Sequence, residues 1–516
     1  MAFNSYLFLF AFLPLTLIAY YWVALTRLHR LRLPLLIALT IVFYANAALR
    51  YLPLLLASIV FNYLVARSIA RAESGRQKNI LRFGVAANVA LLIFYKYAGF
   101  IFDNVQTVFG THAAVPQILL PLAISFYTFQ QIAFLVDTSR GLVKPADPVT
   151  YASSILFFPY IISGPITLYR EIGSQLEERP DSRTAPGNIL VGLVIFSLGL
   201  FKKTVIADSF ALWVDPTFDH LTGGGSIGFL GAWAITAAFL LQMYFDFSGY
   251  SDMAIGLARM LGIALPLNFY SPIRCSSIID WWRRWHMTLG RFVYAYIFHP
   301  ISVPLMRWAV SKNLGRRSVL IAGTLLPTFT AMLIIGIWHG GNWTFFVFGA
   351  LHGIYMVINE SWRMAMRNKR KGRPVTWLQI ARGNILTILA ILFALAPFRA
   401  ADMTTTGRIW KGMVGASGLG NGIDTWPALQ PLGGYALFAM VTFGFAFAYM
   451  MPNTEQFMTR FEPALEWTKW RGVSPALLRF EWLPSLGWAA AIGAVLLIAI
   501  AFVGRGGNTI FVYFGF

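Results

Sequence analysis

A single histidine stands where two long apolar stretches meet. His339 is followed by Gly340, Gly341 and Asn342, which interrupt a sequence otherwise apolar for long enough to cross a membrane twice. A neutral imidazole can take a proton from a hydroxyl near neutral pH, and glycines let a substrate approach closely. The pattern is consistent with a general base at His339, with Asn342 as a neighbouring polar group for substrate binding. By these residues alone, a histidine that caps a helix end at the interface is the favoured interpretation.

A second cluster of polar and aromatic residues lies in SPIRCSSIIDWWRRWHMTLGRF, residues 271–292. Tryptophans beside arginines are typical of the lipid headgroup level, and an interfacial helix is the simplest explanation. Arg283 and Arg284, with Trp285, could instead bind an anionic donor such as the phosphates of a coenzyme. By its chemistry alone, His286 could either orient a ligand or support the structure.

Two aspartates, Asp246 and Asp252, lie in the apolar and aromatic segment QMYFDFSGYSDMAIGLARMLG. Placing a carboxylate at membrane depth costs free energy, so each of the two aspartates is expected to have a structural or functional role. They could form the polar wall of a tunnel and contribute to donor binding. The alternative, which is somewhat favoured, is that they pair with arginines such as Arg259 or Arg283 and fix helix packing.

Two further apolar stretches, residues 125–141 and 157–172, are interrupted by polar residues and a bend. Broken helices at membrane depth line cavities or are buried in protein, and a packing role is equally consistent. The lone cysteine, Cys275, excludes an internal disulfide and has no activating neighbours. No zinc-ligand spacing occurs, so no metal site is predicted. The interrupting residues are Gln130, Gln131, Asp137, Ser163, Gly164 and Pro165.

The elements that must position these residues are membrane helices. Of 516 residues, 57% are apolar and 12% are charged, whereas soluble domains carry roughly 25% charged residues. The net charge of +20 comes from short basic clusters between apolar runs, which is the pattern of cytoplasmic loops and argues against a nucleic-acid partner. These clusters are Arg27, Arg30 and Arg32; Arg71, Arg76, Lys78 and Arg82; and Arg363, Arg367, Lys369, Arg370, Lys371 and Arg373.

The apolar runs predict about 11 to 13 transmembrane or re-entrant helices, at roughly 20 residues per crossing. The runs do not alternate as barrel strands would, so the predicted fold is all-α and polytopic. The first run, Tyr6–Val23, has no basic residue before it and a basic cluster after it, which predicts an outside N-terminus. No soluble domain of any size interrupts the runs, and residues 1–516 are taken as one membrane domain.

Several segments together resemble the membrane-bound O-acyltransferases (MBOAT), and in particular their bacterial alginate O-acetyltransferase-like branch. The longest are YFDFSGYSDMAIGL, SSIIDWWRRWHMTLGRF and GIWHGGNWTFFVFGALHG, supported by ISFYTFQQIAFLVD, FPYIISGPI and GLFKKTVIAD. These segments occur in the family's order, and the resemblance as a whole extends from about residue 5 to residue 400.

The resemblance implies a ring of helices around a central tunnel, with His339 as the catalytic histidine. It also implies that His286 occupies the family's second characteristic polar position, and that no cofactor is bound. Acetyl-CoA is the expected acyl donor, which would pass Arg283, Arg284 and possible guides at Lys202 and Lys203. The expected location is the bacterial inner membrane. The expected acceptor is an exported polysaccharide such as alginate, with a periplasmic esterase-like acetyltransferase as partner.

One segment departs from the alginate branch. After His286 that branch usually has an arginine-aspartate-tyrosine stretch and a glycine-glycine-asparagine-arginine loop, where this chain has RFVYAYIFHPISVPLMRW. Peptidoglycan, cellulose or another exopolysaccharide therefore remain alternative acceptors, and D-alanyl transfer to teichoic acids is a more distant one. Two other classes of protein also stay open at this point. One is a transporter or channel with Asp246, Asp252 and the histidines as a relay, and the other is a scaffold for a polysaccharide synthase.

Overall fold

The computed structural model describes residues 1–111, 118–145, 147–370, 374–420, 434–504 and 511. In these ranges the backbone is helical or irregular, apart from one isolated bridge between Pro266 and Leu465. Lipid offers no hydrogen-bond partners, so a spanning backbone must bond within itself, as a helix does. The predicted all-α, polytopic fold is confirmed. In the third basic cluster, Lys371 and Arg373 lie outside the described residues, as do the side chains of the preceding four residues.

The first half of the chain runs through helices that are joined mainly by short turns. A π-helical segment, Lys202–Ala207, connects two of them without a break. These helices are α1 (Leu13–Leu25), α2 (Arg32–Ala48), α3 (Leu52–Arg71), α4 (Ser74–Phe109), α5 (Ile124–Ser139), α6 (Pro148–Ile155), α7 (Tyr169–Glu177), α8 (Ala185–Phe201), α9 (Asp208–Thr222) and α10 (Phe229–Met260).

The second half mixes short helices near the predicted site with long ones. Two π-helical segments, Tyr294–Phe298 and Ile321–Leu325, again join neighbouring helices. The helices are α11 (Ile278–Arg284), α12 (Met287–Val293), α13 (His299–Ser311), α14 (Arg316–Leu320), α15 (Leu326–His339), α16 (Trp343–Arg370), α17 (Trp377–Arg399), α18 (Met403–Met413), α19 (Gly434–Met450), α20 (Thr454–Phe457) and α21 (Leu486–Phe502).

Seven helical segments of the described chain are long and apolar enough to span a membrane, with two shorter apolar helices besides. One of these segments, His29–Arg71, contains two helices, α2 and α3, so the number of segments is not the number of crossings. The predicted 11 to 13 transmembrane or re-entrant helices stay a prediction. Three of the predicted runs are organised differently in the structure. The apolar runs 227–247 and 253–267 belong largely to one helix, α10. The run 151–166 divides into the eight-residue helix α6 and a series of turns.

Helix α10 forms the centre of the molecule and packs closely against α8. Of its most apolar window, 83% is buried, against 11% for α4. The contact is lined by glycines: a Cβ at Gly192 would lie 2.5 Å from the carbonyl oxygen of Gly256, and one at Gly199 would lie 2.6 Å from that of Gly249. Small residues at such a crossing allow the two backbones to touch, which is how membrane helices associate without a hydrophobic driving force.

The two ends of α2 mark two opposite sides of the protein. At its first residue, the Arg32 guanidinium donates hydrogen bonds to the carbonyls of Leu176 and Glu178. Beyond its far end, Tyr51 donates a hydrogen bond of 2.8 Å to the carbonyl of Leu119. The side of Arg32 carries the first basic cluster and is therefore the predicted cytoplasmic side, and the side of Tyr51 is the predicted outer side.

Candidate active site

Helix α15 ends at His339, and the glycines and Asn342 form the break before α16. Gly340 is extended, with φ −175°, so the chain leaves the helix immediately after the histidine. The Asn342 side chain accepts a hydrogen bond of 3.1 Å from the amide of Thr344 and donates one of 2.8 Å to the carbonyl of Ala401. Asn342 thus caps the next helix, and the substrate-binding role predicted for it stays a prediction without a contact to support it.

Helix α4 holds this break from one side. The Lys96 ammonium donates a hydrogen bond to the carbonyl of Trp338, and the Tyr97 hydroxyl donates one of 2.8 Å to the carbonyl of Ile337. Carbonyls in the last turn of a helix have no partner within that helix, and at membrane depth they need one from elsewhere. A Cβ at Gly341 would lie 2.9 Å from the Cβ of Phe100, so this glycine allows α4 to come close enough.

His339 is buried and surrounded by aromatic rings. Its ring centroid lies 4.9 Å from those of Trp338 and Phe398 and 5.8 Å from that of Phe348. It also lines a cavity of about 130 Å³, which we call the His339 cavity. That cavity is bounded by Lys96 and by residues 120–126 and 162–163, next to the turn that Tyr51 contacts on the predicted outer side. The histidine is therefore accessible from a cavity and does not face lipid.

His286 also lies near Trp338, with 6.4 Å between the two ring centroids. It has φ +43°, in the left-handed region, and directly precedes α12. Its Nδ1 is 2.9 Å from the side-chain oxygen of Asn268, which also accepts a bond of 2.8 Å from the Thr288 hydroxyl. Because an amide oxygen only accepts hydrogen bonds, Nδ1 carries the hydrogen and the lone pair of the neutral ring is on Nε2.

This network connects His286 to the bend that the sequence predicts at residues 163–165. The Thr288 hydroxyl oxygen accepts a hydrogen bond of 3.0 Å from the backbone amide of Ile166, next to that bend. The amide nitrogen of Asn268 donates one of 3.0 Å to Ser251 on α10. Three separate parts of the chain therefore fix one imidazole.

A larger cavity of about 740 Å³, the Arg283 cavity, approaches the same site from the opposite side. Its walls are mainly apolar and include Ile335, one helical turn before His339, and Met287, next to His286. Leu465, another wall residue, donates its amide hydrogen to the carbonyl of Leu265 at 2.9 Å. The neighbouring Ala264 is hydrogen-bonded to Gln175, next to the Leu176 carbonyl that Arg32 contacts on the predicted cytoplasmic side. His339 thus lines the first cavity, and the second cavity reaches residues close to both histidines.

The two arginines predicted to bind a donor have different surroundings. Arg283 lines the Arg283 cavity, together with Arg291 and Lys469. Arg284 is buried and forms an ion pair of 2.8 Å with Asp280. Of the predicted pair, Arg283 alone is therefore placed to meet a ligand in this cavity.

Trp285, the third predicted donor-binding residue of this motif, lies among other rings. It is buried, stacked on Trp281 at 5.1 Å and edge-on to Phe269 at 5.0 Å. These contacts are those of a packing residue, and its donor-binding role stays a prediction.

Comparison with known proteins identifies the chain. The sequence profile of MBOAT, the membrane-bound O-acyltransferase family, matches residues 139–394. The chain is also 37% identical over 448 residues to the peptidoglycan O-acetyltransferase of Helicobacter pylori, which covers 81% of this chain and 80% of that protein. The chain belongs to the membrane-bound O-acyltransferase family. It is a multi-pass membrane protein and an O-acyltransferase, as its motifs predict.

Other relatives of this acyltransferase carry related activities in their names. The probable alginate O-acetylase AlgI of Azotobacter vinelandii is 34% identical over 427 residues, 80% of this chain and 78% of that protein. The teichoic acid D-alanyltransferase of Streptococcus thermophilus is 27% identical over 259 residues, 50% of this chain and 61% of that protein. The chain therefore resembles enzymes with more than one acceptor.

The two intramembrane aspartates of the acyltransferase are held by lysines. Asp252 pairs with Lys202 at 2.6 Å and accepts a hydrogen bond of 2.5 Å from Thr454. Asp246 pairs at 2.6 Å with Lys203, which also binds Asp208 at 2.8 Å. The expectation of arginine partners at Arg259 or Arg283 is wrong. The two lysines are also not placed as donor guides, since their ammonium groups are occupied by these pairs.

Other polar positions of the acyltransferase serve packing. The Trp282 indole donates a hydrogen bond of 3.2 Å to His352, and Gly349 on the same helix packs directly on Gly336 of α15. Gln131 accepts a hydrogen bond of 2.7 Å from Ser58, within a buried amide network between helices. Cys275 is buried, and burial raises the pKa of its thiol to about 12, so it stays protonated and is a poor nucleophile.

Sequence reasoning missed Lys96, Asn268 and Thr288 as parts of the site. Asn268 and Thr288 flank His286 within twenty residues, but only the fold shows that their side chains converge on its ring. Lys96 had a signal in the sequence: it is a lone cation inside the apolar run 83–102. An ionisable residue within a transmembrane segment is a candidate functional residue by default.

Proposed function

We propose that this O-acyltransferase moves an acetyl group from a cytoplasmic thioester donor, acetyl-CoA, to hydroxyls of an exported polysaccharide such as alginate. One observation carries the proposal: His339 lines a cavity on the predicted outer side, while the Arg283 cavity reaches within one helical turn of it from the other side. A donor and an acceptor held on opposite sides of the membrane could then meet at one imidazole.

The Arg283 cavity supports a donor that is both anionic and partly apolar. Arg283 brings positive charge to a cavity with mainly apolar walls, whereas the other two cations of the lining are paired, Arg291 with Glu171 at 2.7 Å and Lys469 with Glu466 at 2.6 Å. Guanidinium and ammonium groups bind phosphate oxygens through charge-assisted hydrogen bonds. Its volume of about 740 Å³ lies within the range of small-molecule sites, roughly 300–1,000 Å³. Acetyl-CoA matches both properties.

In the proposed reaction His339 acts as the general base. It takes the proton from the acceptor hydroxyl as the hydroxyl oxygen attacks the thioester carbonyl carbon. The tetrahedral intermediate then loses the thiolate as the C–S bond breaks, and the sulfur receives the proton from His339. His286, with its tautomer fixed by Asn268, presents the Nε2 lone pair and can accept a hydrogen bond that orients a reactant.

Peptidoglycan is a second candidate acceptor, and two observations favour it. The Helicobacter pylori peptidoglycan enzyme is 37% identical, against 34% for the Azotobacter vinelandii alginate enzyme. The segment after His286 also lacks the acidic residue and the glycine-rich loop of the alginate branch. In either case we propose a bacterial inner-membrane location and a periplasmic esterase-like acetyltransferase partner that places the acetyl group on the glycan.

The test compares two histidine variants in cells that make alginate and in cells whose peptidoglycan is analysed. His339→Ala should lower the O-acetyl content of the modified glycan to background, because general-base help is worth about 10²–10⁴ in rate. The control is His299→Ala, which removes an exposed imidazole at the start of α13. Acetyl ester is measured on both glycans, normalised to the amount of inserted protein. Unchanged acetylation in a well-inserted His339→Ala variant would refute the proposal.

A further inference from the structure

We propose that Lys96 is a catalytic cation of this acyl transfer, and that it stabilises the negative charge that forms on the thioester carbonyl oxygen. The inference rests on the acyl transfer at His339 and goes beyond the proposed donor and acceptor. Residue 96 lies outside the segment that the family profile matches. The observation behind the proposal is that the Lys96 side chain lines the His339 cavity together with His339 itself.

Lys96 lies on the face of α4 that packs against protein. Only 11% of the apolar window of α4 is buried, and the buried residues of this helix, Gly84, Asn88 and Leu92, precede Lys96 at four-residue spacing on one face. The Lys96 Nζ lies 5.4 Å from the ring centroid of Trp338 and donates a hydrogen bond to the carbonyl of that residue. It borders the same cavity as the His339 imidazole. A cation at this depth is costly and is kept only where it has a role.

The hydrogen bond to Trp338 holds the ammonium group in place without neutralising it. Within the described ranges of the chain, the lysines at 202 and 203 form carboxylate ion pairs, whereas the partner found for Lys96 is a backbone carbonyl. An ammonium group has three N–H donors, so one such bond leaves two for other acceptors. A fixed cation in a cavity of low polarity stabilises a nearby anion far more strongly than it would in water.

The charge changes of the reaction fit this placement. When the acceptor oxygen bonds to the carbonyl carbon, its proton goes to His339 and the carbonyl electrons move onto oxygen as an oxyanion. Lys96 donates an N–H to that oxyanion. When the C–S bond breaks, the electrons return to reform the carbonyl, the sulfur takes the proton from His339, and Lys96 ends as it began. The lysine gains and loses no proton, so no further reactant is needed.

A purely structural role for Lys96 would also explain its bond to Trp338, and a neighbour provides the matched control. Tyr97→Phe removes the other hydrogen bond from α4 to the same helix end without changing any charge. We expect Lys96→Met to lower kcat about 10²–10³-fold, the usual cost of losing one oxyanion donor, with KM within about threefold. Tyr97→Phe should lower kcat less than about fivefold, and Lys96→Arg should regain part of the rate that Lys96→Met loses.

Chemical rescue separates charge from packing. The chain has one cysteine, so Lys96→Cys in a Cys275→Ser background places a single thiol at this position. Methanethiosulfonate ethylammonium converts that thiol into a lysine-like cation, and methyl methanethiosulfonate adds a neutral group. Transfer of radiolabelled acetyl from acetyl-CoA is measured in membranes before and after each reagent. We expect the cationic reagent to raise the rate at least tenfold and the neutral one to leave it unchanged.

Three results would overturn the proposal. Lys96→Met could keep a rate within threefold of wild type, the neutral reagent could rescue as well as the cationic one, or the introduced thiol could resist both reagents in the folded protein. The last result is read by mass spectrometry and needs no activity. If wild type transfers no acetyl to either glycan, the proposed substrates are wrong, and the labelling result then decides by itself whether position 96 opens into the cavity.

Discussion

The intramembrane lysines of this acyltransferase differ in their partners. Lys202 and Lys203, at the π-helical segment beside α10, have carboxylates within 2.6 Å and are almost completely enclosed by protein. Lys96 lies beside a helix end, bonded to a carbonyl and bordering a cavity with His339. The same type of side chain is compensated by carboxylates in one place and borders a cavity in the other.

The contrast shows how a membrane protein separates structure from chemistry. A buried charge with a close counter-ion and hydrogen bonds contributes mainly to the arrangement of helices, and removing one partner leaves the other unpaired. A buried cation whose partner, among the described residues, is a backbone carbonyl keeps its field for whatever enters the cavity. Polarity at membrane depth therefore marks a functional region, but the partner of each charge decides which residues act.

The largest effect that tests this comparison is on stability. Lys202→Met removes the cation that pairs with Asp252 at 2.6 Å, and we expect the free energy of unfolding in detergent to fall by about 3–5 kcal/mol, because the carboxylate stays buried without its partner. The control is Glu481→Gln, which breaks the exposed pair with Arg460 and should cost about 0–1 kcal/mol. If both variants lose the same free energy of unfolding, the buried ion pair does not stabilise the fold more than an exposed pair does.

A smaller effect sharpens the comparison on the donor side. Arg283→Gln removes a charge that lines the Arg283 cavity, and we expect the KM for acetyl-CoA to rise about tenfold, since a charge-assisted hydrogen bond is worth about 1.5–3 kcal/mol. Arg284→Gln breaks the buried pair with Asp280 instead, and should lower thermal stability with little change in KM. Steady-state kinetics in membranes checks both, and equal KM values for the two variants would contradict the assignment.

The smallest expected effect comes from a solvent-exposed carboxylate, which serves as the reference for the buried charges. Asp402 is exposed and caps α18, and the hydrogen bond from the Thr405 amide to its carboxylate lowers its pKa. A lowered folded-state pKa contributes stability that is present above the unfolded pKa of about 3.9 and is lost as pH falls through the folded value. Asp402→Ala should therefore cost about 1 kcal/mol at pH 7 and progressively less as the pH falls below about 4. Thermal unfolding across this pH range measures the difference, and a cost independent of pH would contradict it.

Sequence reasoning located both histidines of the site because each lies in a motif of polar, aromatic or glycine residues within an apolar stretch. It found His339 through its glycine break and His286 through its tryptophan-arginine motif, and both lie beside Trp338. It placed two arginines together, although Arg283 faces a cavity and Arg284 faces Asp280. Neighbours in the chain point in different directions on a helix, and a motif cannot show which direction faces a cavity.

The sequence by itself determined that this chain is a multi-spanning helical O-acyltransferase with His339 at a break between helices. The apolar composition predicts that lipid surrounds the chain. A backbone in lipid must satisfy its hydrogen bonds internally, as a helix does. Only the tertiary structure decided that Lys202 and Lys203 neutralise the two aspartates and that Lys96, far along the chain, reaches the carbonyl next to His339. Pairing of charges depends on distances between helices that are remote in sequence, and those distances exist only in the packed molecule.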